Sequence, residues 1–546
     1  MKRFLALFLT IIMLLSMFAA CKPDNGTQNT GTTPEGTTPG VTTPEVTTPE
    51  QTTPEVTTTE EEIPDFNEPV APTAKMAGEI VAALNPKETF LATFDCQEAI
   101  FENVEKIYDI LKAFWNEGYT RLAVDTVVGA KFDIFLLTKG EELVTVYWLY
   151  EQKEVRITWE TTTAGELSVL QKNATTGTGT VTMVQIGVER GEAVDNPMIG
   201  LCYIFKLANG NAIVIDGGYY YDECAANVYG ALAKLDVAKN EDGQFVIEAW
   251  IFTHGHGDHN GVFNNFAPLY ADKVDVLNFL YQLSANEDIG AVGGGKAGEE
   301  AFHELCKETY PEANFINPHV GLKYYFSNVT VDMLYTPDVH WDTADNKITY
   351  YNDSSLIFNV LGGGTGFLCM GDAGEIAATR SWQLFEARAY QSGILQIAHH
   401  GMTTGNDGSH AWDNIRNIYV STGAAIAALP LGTRPGEDLD AGNGRWAILF
   451  DYPYNKNGNM SYIVKKGDAP TSNGYFYQGL YSRFVHDVLF GTNLAAEAGF
   501  PGLKSLHGYN GINMIDNGAG IITYISCADH DEMATTFLFA NGEITV

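Results

Sequence analysis

The stretch "EAWIFTHGHGDHNG", from Glu248 to Gly261, decides how this sequence is read. Ala249, Trp250, Ile251 and Phe252 form an apolar run short enough for a buried strand. The loop after them carries His254, His256, Asp258 and His259. The whole chain has 12 histidines in 546 residues, so three in one short loop call for a chemical reason. Gly255, Gly257 and Gly261 permit tight turns. His254 and His256, two apart at the strand end, can point at one cation. Asp258 and His259, after a turn, can point at a second. Imidazole nitrogen and carboxylate oxygen suit zinc, iron or manganese.

Three further stretches share the same design of an apolar strand that ends in a polar residue. "IVIDGG" (213–218) ends in Asp216, "GFLCMGDAG" (366–374) delivers Asp372, and "ILQIAHHGM" (394–402) delivers His399 and His400. In this order, and with HxHxDH between the first and second, the sequence resembles the metallo-β-lactamase-fold superfamily. The resemblance implies an αββα sandwich of the α/β class. It also implies that Asp216 organises the metal loops, that Asp372 bridges two metals, and that His400, with His399 as the second candidate, is the final ligand. The implied metal set is then His254, His256, Asp258, His259, Asp372 and His400.

One ligand of the usual set is missing. Where many members carry a histidine, "YYNDSSLIFNV" (350–360) has Asn352, with His319 and His340 upstream of it. The NxSSLI, GDA and HHG set resembles the nuclease-like domain of competence DNA-uptake proteins and surface phosphorylcholine esterases. That branch implies two divalent cations, zinc before manganese, with the second site weaker. It implies a metal-activated water attacking a phosphodiester or related ester, Asp258 orienting the nucleophile, and His399 donating a proton or hydrogen bond. The missing histidine counts against β-lactams and thioesters. The alternative is a catalytically weak or inactive protein of the same fold that binds a surface glycan or choline-type ligand.

The remaining sequence sets the context. A formal charge of −36 argues against broad nucleic-acid binding, since phosphate neutralisation needs Lys and Arg. Lys2 and Arg3 precede an apolar run over 4–20 and Cys21, the pattern of a bacterial lipoprotein signal (1–21) with Cys21 as the lipidated residue. Residues 22–63, rich in Thr, Pro and Glu with a five-residue repeat, cannot bury a core and read as a disordered spacer. Together they predict a lipid-anchored protein on the extracellular face, and the resemblance implies that it acts on a small-molecule or cell-envelope phosphoester.

Residues 64–173 predict a small α+β domain. Asp95 and Glu98 form a capping box for a helix carrying Ile100, Val104, Ile107, Leu111 and Trp115, with a three-strand meander after it. The sandwich is expected over 178–546, with an aromatic- and glycine-rich insertion over about 404–515. "GAVGGGKAG" (290–298) approximates a phosphate loop, but Ala297 stands where a magnesium-holding hydroxyl is needed, so a surface loop is expected. The cysteines, widely spaced and in apolar surroundings, read as buried thiols.

Overall fold

A computed structural model describes residues 63–68, 70–93, 96–186, 200–283, 295–337, 351–401, 412–424 and 426–428, and five strands between 504 and 545. The expected signal, nearly all of the spacer, most of the 404–515 insertion and His340 lie outside the described residues.

The chain first forms helix α1 (Ala77–Ala83), β1 (Glu88–Leu91), β2 (Gln97–Phe101), helix α2 (Tyr108–Asn116), β3 (Thr120–Leu122), β4 (Asp133–Lys139), β5 (Glu142–Leu149) and β6 (Glu154–Thr161). These strands make one antiparallel sheet in the order β1-β2-β6-β5-β4-β3. The expected meander is β4-β5-β6. The helix expected from Asp95 onward is corrected: residues 97–101 are a strand, and α2 starts only at Tyr108. Asp95 itself lies outside the described residues. Glu98 does not cap a helix. It is buried in β2 with its Oε1 3.3 Å from Nη1 of Arg156 on the neighbouring β6. A charge partner 58 residues away overrides the local pattern.

Strand β5 is buried at every position. Successive side chains point to opposite faces. Val144, Val146 and Trp148 pack under α1 and α2. Leu143, Tyr147 and Leu149 join the main core of the molecule. The first sheet is therefore a middle layer, packed between its own helices and the sandwich. Each such apolar side chain contributes about 1.5–3 kcal/mol by its burial.

Helix α3 (Ala164–Ser168), capped by Thr163 and Glu166, leads to two larger sheets. The first holds β7 (Val181–Gln185), β8 (Cys202–Lys206), β9 (Ala212–Asp216), β10 (Phe245–Ile251), β11 (Val274–Val276), β12 (Asn278–Leu280) and β13 (Asn314–Ile316). Helices α4 (Asp222–Lys234), α5 (Phe263–Tyr270) and α6 (Gly295–Thr309) connect its strands. The second holds β14 (Lys323–Phe326), β15 (Val329–Tyr335), β16 (Ile357–Gly362), β17 (Thr365–Cys369), β18 (Ile394–Gln396), β19 (Ile426–Ala428), β20 (Lys504–Leu506), β21 (Ile512–Asp516) and β22 (Ile521–Ile525), with helices α7 (Glu375–Leu384) and α8 (Trp412–Thr422). The last strands, β23 (Thr535–Ala540) and β24 (Glu543–Thr545), return to the first of the two, where β23 pairs with β7.

Alternation along β9 and β10 gives the layering. Val214 and Trp250 face Val228, Leu232, Phe263 and Phe302 of the outer helices. Ile213, Ile215, Ala249 and Ile251 face the opposite sheet and join a core that also includes Phe367, Ala377 and Ile418. This is the expected αββα sandwich. The stretch expected to be a surface loop near 290 is corrected in part, because α6 begins at Gly295 and takes in Lys296. Cys96, Cys202, Cys224, Cys306 and Cys369 are buried and form no disulfide among the described residues.

Strands β9 and β10 are parallel, as are β17 and β18. Parallel neighbours release their C-terminal ends at one edge of a sheet, which is where α/β folds place their chemistry. Asp216, the His254–His259 loop, Asp372 and His399 all lie at or just beyond such ends.

Candidate metal centre

Asp216 is the last residue of β9 and is fully buried, with a left-handed backbone (φ 51°). Its Oδ1 accepts the Thr253 backbone N–H at 2.7 Å. Its Oδ2 accepts the Thr253 hydroxyl at 2.7 Å and lies 2.7 Å from Nδ1 of His259. Trp250 Nε1 donates to the Asp216 carbonyl at 3.0 Å. One carboxylate thus ties the end of β9 to both ends of the histidine loop.

These contacts fix where the imidazole protons sit. A carboxylate oxygen can only accept, so His259 carries a proton on Nδ1, which makes Nε2 the nitrogen that would face a metal ion. The Thr253 hydroxyl spends its hydrogen on Asp216. It can then only accept from Nδ1 of His254, 3.1 Å away, which leaves Nε2 of a neutral His254 ring without a proton. Such outer hydrogen bonds to the far nitrogen are how metal-ligating histidines are oriented.

The ligand atoms fall into two clusters. Ligand atoms of His254, His256 and Asp372 all lie within 4.8 Å of one another, and so do those of Asp258, His259 and Asp372. In the first, His254 Nε2 and His256 Nδ1 are 2.9 Å apart, and Asp372 Oδ2 is 3.9 Å from His254. In the second, His259 Nε2 is 3.1 Å from Asp372 Oδ1. Two acceptors held that close need a cation or a shared proton between them. The residues therefore fit metal ions by the chemistry of their donors, with Asp372 common to both clusters.

Electrostatics separates the two sides. Burial, helped by neighbouring His259 and His256, holds the His254 pKa well below the ordinary value, so its ring stays neutral. Burial pulls His259 the same way, but the carboxylates of Asp372, Asp216 and Asp258 outweigh it and hold its pKa well above the ordinary value, so without a cation Nε2 keeps a second proton towards Asp372, which a metal ion would displace.

The loops around Asp372 close on the same point. Gly371 has φ +52°, and a Cβ there would come within 3.0 Å of Thr253. Ser355 Oγ accepts the Asp372 backbone N–H at 3.1 Å. The tight turn over Tyr351–Ser354 is buried throughout. Within it, Asp353 Oδ1 accepts the N–H groups of Ile376 and Ala377 at the start of α7, and Asn352 faces the site. Asn352 Nδ2 is 3.1 Å from His399 Nε2, which is in turn 3.8 Å from Asp372 Oδ2. His399 also has a left-handed backbone, φ 49°, of the kind that functional sites tolerate.

The structure thus gathers His254, His256, Asp258, His259, Asp372, His399 and Asn352 in one place. His400 comes directly after His399 in the turn Ala398–Gly401, but its ring lies outside the described side chains. His319 belongs elsewhere: its Nε2 is 2.7 Å from Glu160 Oε1, against the first sheet. Sequence reasoning missed Thr253, Tyr351 and Glu299. The Tyr351 ring stacks on His256, with centroids 5.0 Å apart. Glu299, on α6, is buried, and burial pushes its carboxyl up to about 8. A Cβ at Gly255 would meet Tyr351 at 2.7 Å and Glu299 Oε1 at 2.8 Å, so only glycine lets the histidine loop lie over them.

No known family profile matches the chain. No curated protein matches it. Among solved structures, a metallo-beta-lactamase fold protein, YhfI from Bacillus subtilis, is similar at 13% identity over 46% of this chain and 86% of that one, with a TM-score of 0.28. A metallo beta lactamase from Hirschia baltica is similar at 15% identity, over 36% of this chain and 68% of that one, with a TM-score of 0.20. A flavo di-iron protein variant from Thermotoga maritima is similar at 16% identity, over 35% and 38%, with a TM-score of 0.20.

Proposed function

We propose that this chain is a metal-dependent hydrolase acting on a phosphodiester or related ester at the outer face of the cell membrane. The observation that carries the reading is the Asp372 carboxylate, with one oxygen towards His254 and the other towards His259. His254, His256 and Asp372 would hold one divalent cation; Asp258, His259 and Asp372 would hold a second, zinc before manganese. Bound there, the cations would supply Lewis acidity, the chemistry that activates water near neutrality and offsets negative charge on substrate oxygens.

The protein's own groups do the rest. Asp216 and Thr253 hold the Nδ1 protons, so the Nε2 atoms are the ones aimed at the cations. Asp258, half-buried at the mouth of the loop, orients the attacking water. His399, with Nε2 beside Asp372, is placed to give a proton to the leaving oxygen. Asn352 suits that role, because an amide can serve either state of its neighbour. Its NH2 donates to a bare Nε2, and after a half-turn its oxygen accepts from a protonated one. A histidine at this position would compete for metal.

The phosphodiester preference rests on the resemblance of NxSSLI, GDA and HHG to enzymes of that class. The surface location rests on the Cys21 lipid-anchor pattern and the spacer after it. The test is hydrolysis of bis(p-nitrophenyl) phosphate by the purified chain with zinc or manganese. Activity should fall at least about 100-fold in Asp258→Ala. Activity unchanged by that substitution refutes the reading, and faster turnover of a β-lactam overturns the substrate class.

A further inference from the structure

At the opposite end of the same strands lies a cleft of about 840 Å³, within the size range of small-ligand sites. Asn209 and Asn211 precede β9, Val274 opens β11 and Asn278 opens β12, with Glu248 midway along β10, so the cleft sits towards the N-terminal edge of the sheet. The metal centre is at the C-terminal edge, about 20 Å away at roughly 3.3 Å per residue.

The polar wall of the cleft is a chain of side chains locked to one another. Asn209 and Asn211 both donate Nδ2 to Glu248 Oε2, at 2.7 and 3.1 Å. Asn278 donates to the Glu248 carbonyl at 2.6 Å, and Asn314 donates to Asn278 Oδ1 at 2.9 Å. Ser168 at the end of α3 and Tyr325 on β14 also line it. A second, independent feature is Tyr310. This residue is 7% exposed and lines the cleft, and its hydroxyl is buried with no hydrogen-bond partner among the described residues.

The lining contains Glu248, Asp275 and Glu312 but no Lys, Arg or His, so it repels phosphates and carboxylates. A cation is not favoured either, because among the described residues these carboxylates do not converge on one point as the metal-centre ligands do. Pre-oriented amides that both donate and accept, a carboxylate, and tyrosine rings fit a neutral polyhydroxylated molecule. We infer that this cleft is a second binding site, separate from the metal centre, that takes a neutral oligosaccharide. The site would hold a glycan chain while the other end of the sheet does chemistry, and it stands whether or not the hydrolase reading does.

The test is calorimetric titration of the purified chain with the N-acetylglucosamine tetramer, xylotetraose and maltotetraose. At least one should bind with a dissociation constant below about 1 mM. Ser168→Trp, which fills the rim, and Glu248→Gln should each weaken it at least about tenfold, with thermal melts confirming that both variants fold. Ser168→Trp should leave phosphodiester hydrolysis unchanged, and Asp372→Ala should leave sugar binding unchanged. Failure of all three sugars to bind, binding indifferent to both cleft variants, or binding lost in Asp372→Ala would each overturn the inference.

Discussion

Replacing Asp216 with asparagine keeps the shape of the side chain and removes one acceptor. In the native protein Oδ1 takes the Thr253 N–H, while Oδ2 takes the Thr253 hydroxyl and the His259 Nδ1 proton. An amide has one oxygen, so its NH2 must face one of these groups. Turned to the Thr253 N–H, it opposes a backbone donor that cannot give up its proton, at a cost of about 1–3 kcal/mol for the buried group. Turned the other way, it faces His259, which can yield by moving its proton from Nδ1 to Nε2. The Nε2 atom would then present N–H to the Asp258–Asp372 cluster and cease to be a ligand. Loss of such an orienting partner weakens metal binding by about 10–100-fold, or about 1.4–2.7 kcal/mol. The loss should be greatest at the His259 site. The assay is competition with a chromophoric chelator, together with nitrogen NMR of the imidazoles to read the tautomer. Affinity within about twofold of the native protein, or a His259 proton still on Nδ1, would refute the reasoning.

Other perturbations separate neighbouring roles. Glu299 holds a proton in the folded protein up to about pH 8, whereas the unfolded chain loses it near the ordinary carboxyl value. Its stabilising contribution is therefore complete at low pH and lost as pH rises through about 8, so melts of the metal-free protein should decline over that window and Glu299→Gln should flatten the decline. An unchanged slope would count against the buried proton. Arg156→Met leaves Glu98 buried without its cation and should cost about 3–5 kcal/mol in denaturant unfolding, while leaving phosphodiester hydrolysis by the folded fraction intact. Asn352→Leu removes the amide beside His399. It should shift the limb of the pH–rate profile that reports the general acid and lower kcat more than it raises KM, whereas a purely structural role would move only stability.

Much of the site is legible in the sequence because its parts are local. A strand, a turn and HxHxDH are contiguous, and so are Gly371 with Asp372 and the Ala398–Gly401 turn. What is not legible comes from residues far apart in the chain. Thr253 looks like an ordinary strand-end residue until Asp216, 37 positions earlier, is seen to receive both its N–H and its hydroxyl. Asn352 is conspicuous only as a missing histidine, and its place beside His399 depends on Asp353 capping α7. The hidden Glu299 comes from the helix that the phosphate-loop look-alike leads into. The first sheet shows the same limit: Glu98 three residues after Asp95 has the spacing of a capping box, yet the Arg156 across the ladder makes the segment a strand. Burial of β5 on both faces also explains why its apolar run does not alternate.

The central claim is that Asp372 is shared between two cations, and metal stoichiometry tests it most directly. The purified chain, loaded with zinc, dialysed and analysed by mass spectrometry, should hold two ions, one released more readily than the other. Asp372→Ala should lose binding at both positions, whereas His256→Ala should spare the His259 side. Two ions retained in Asp372→Ala, or no zinc bound by the native chain, would contradict the account.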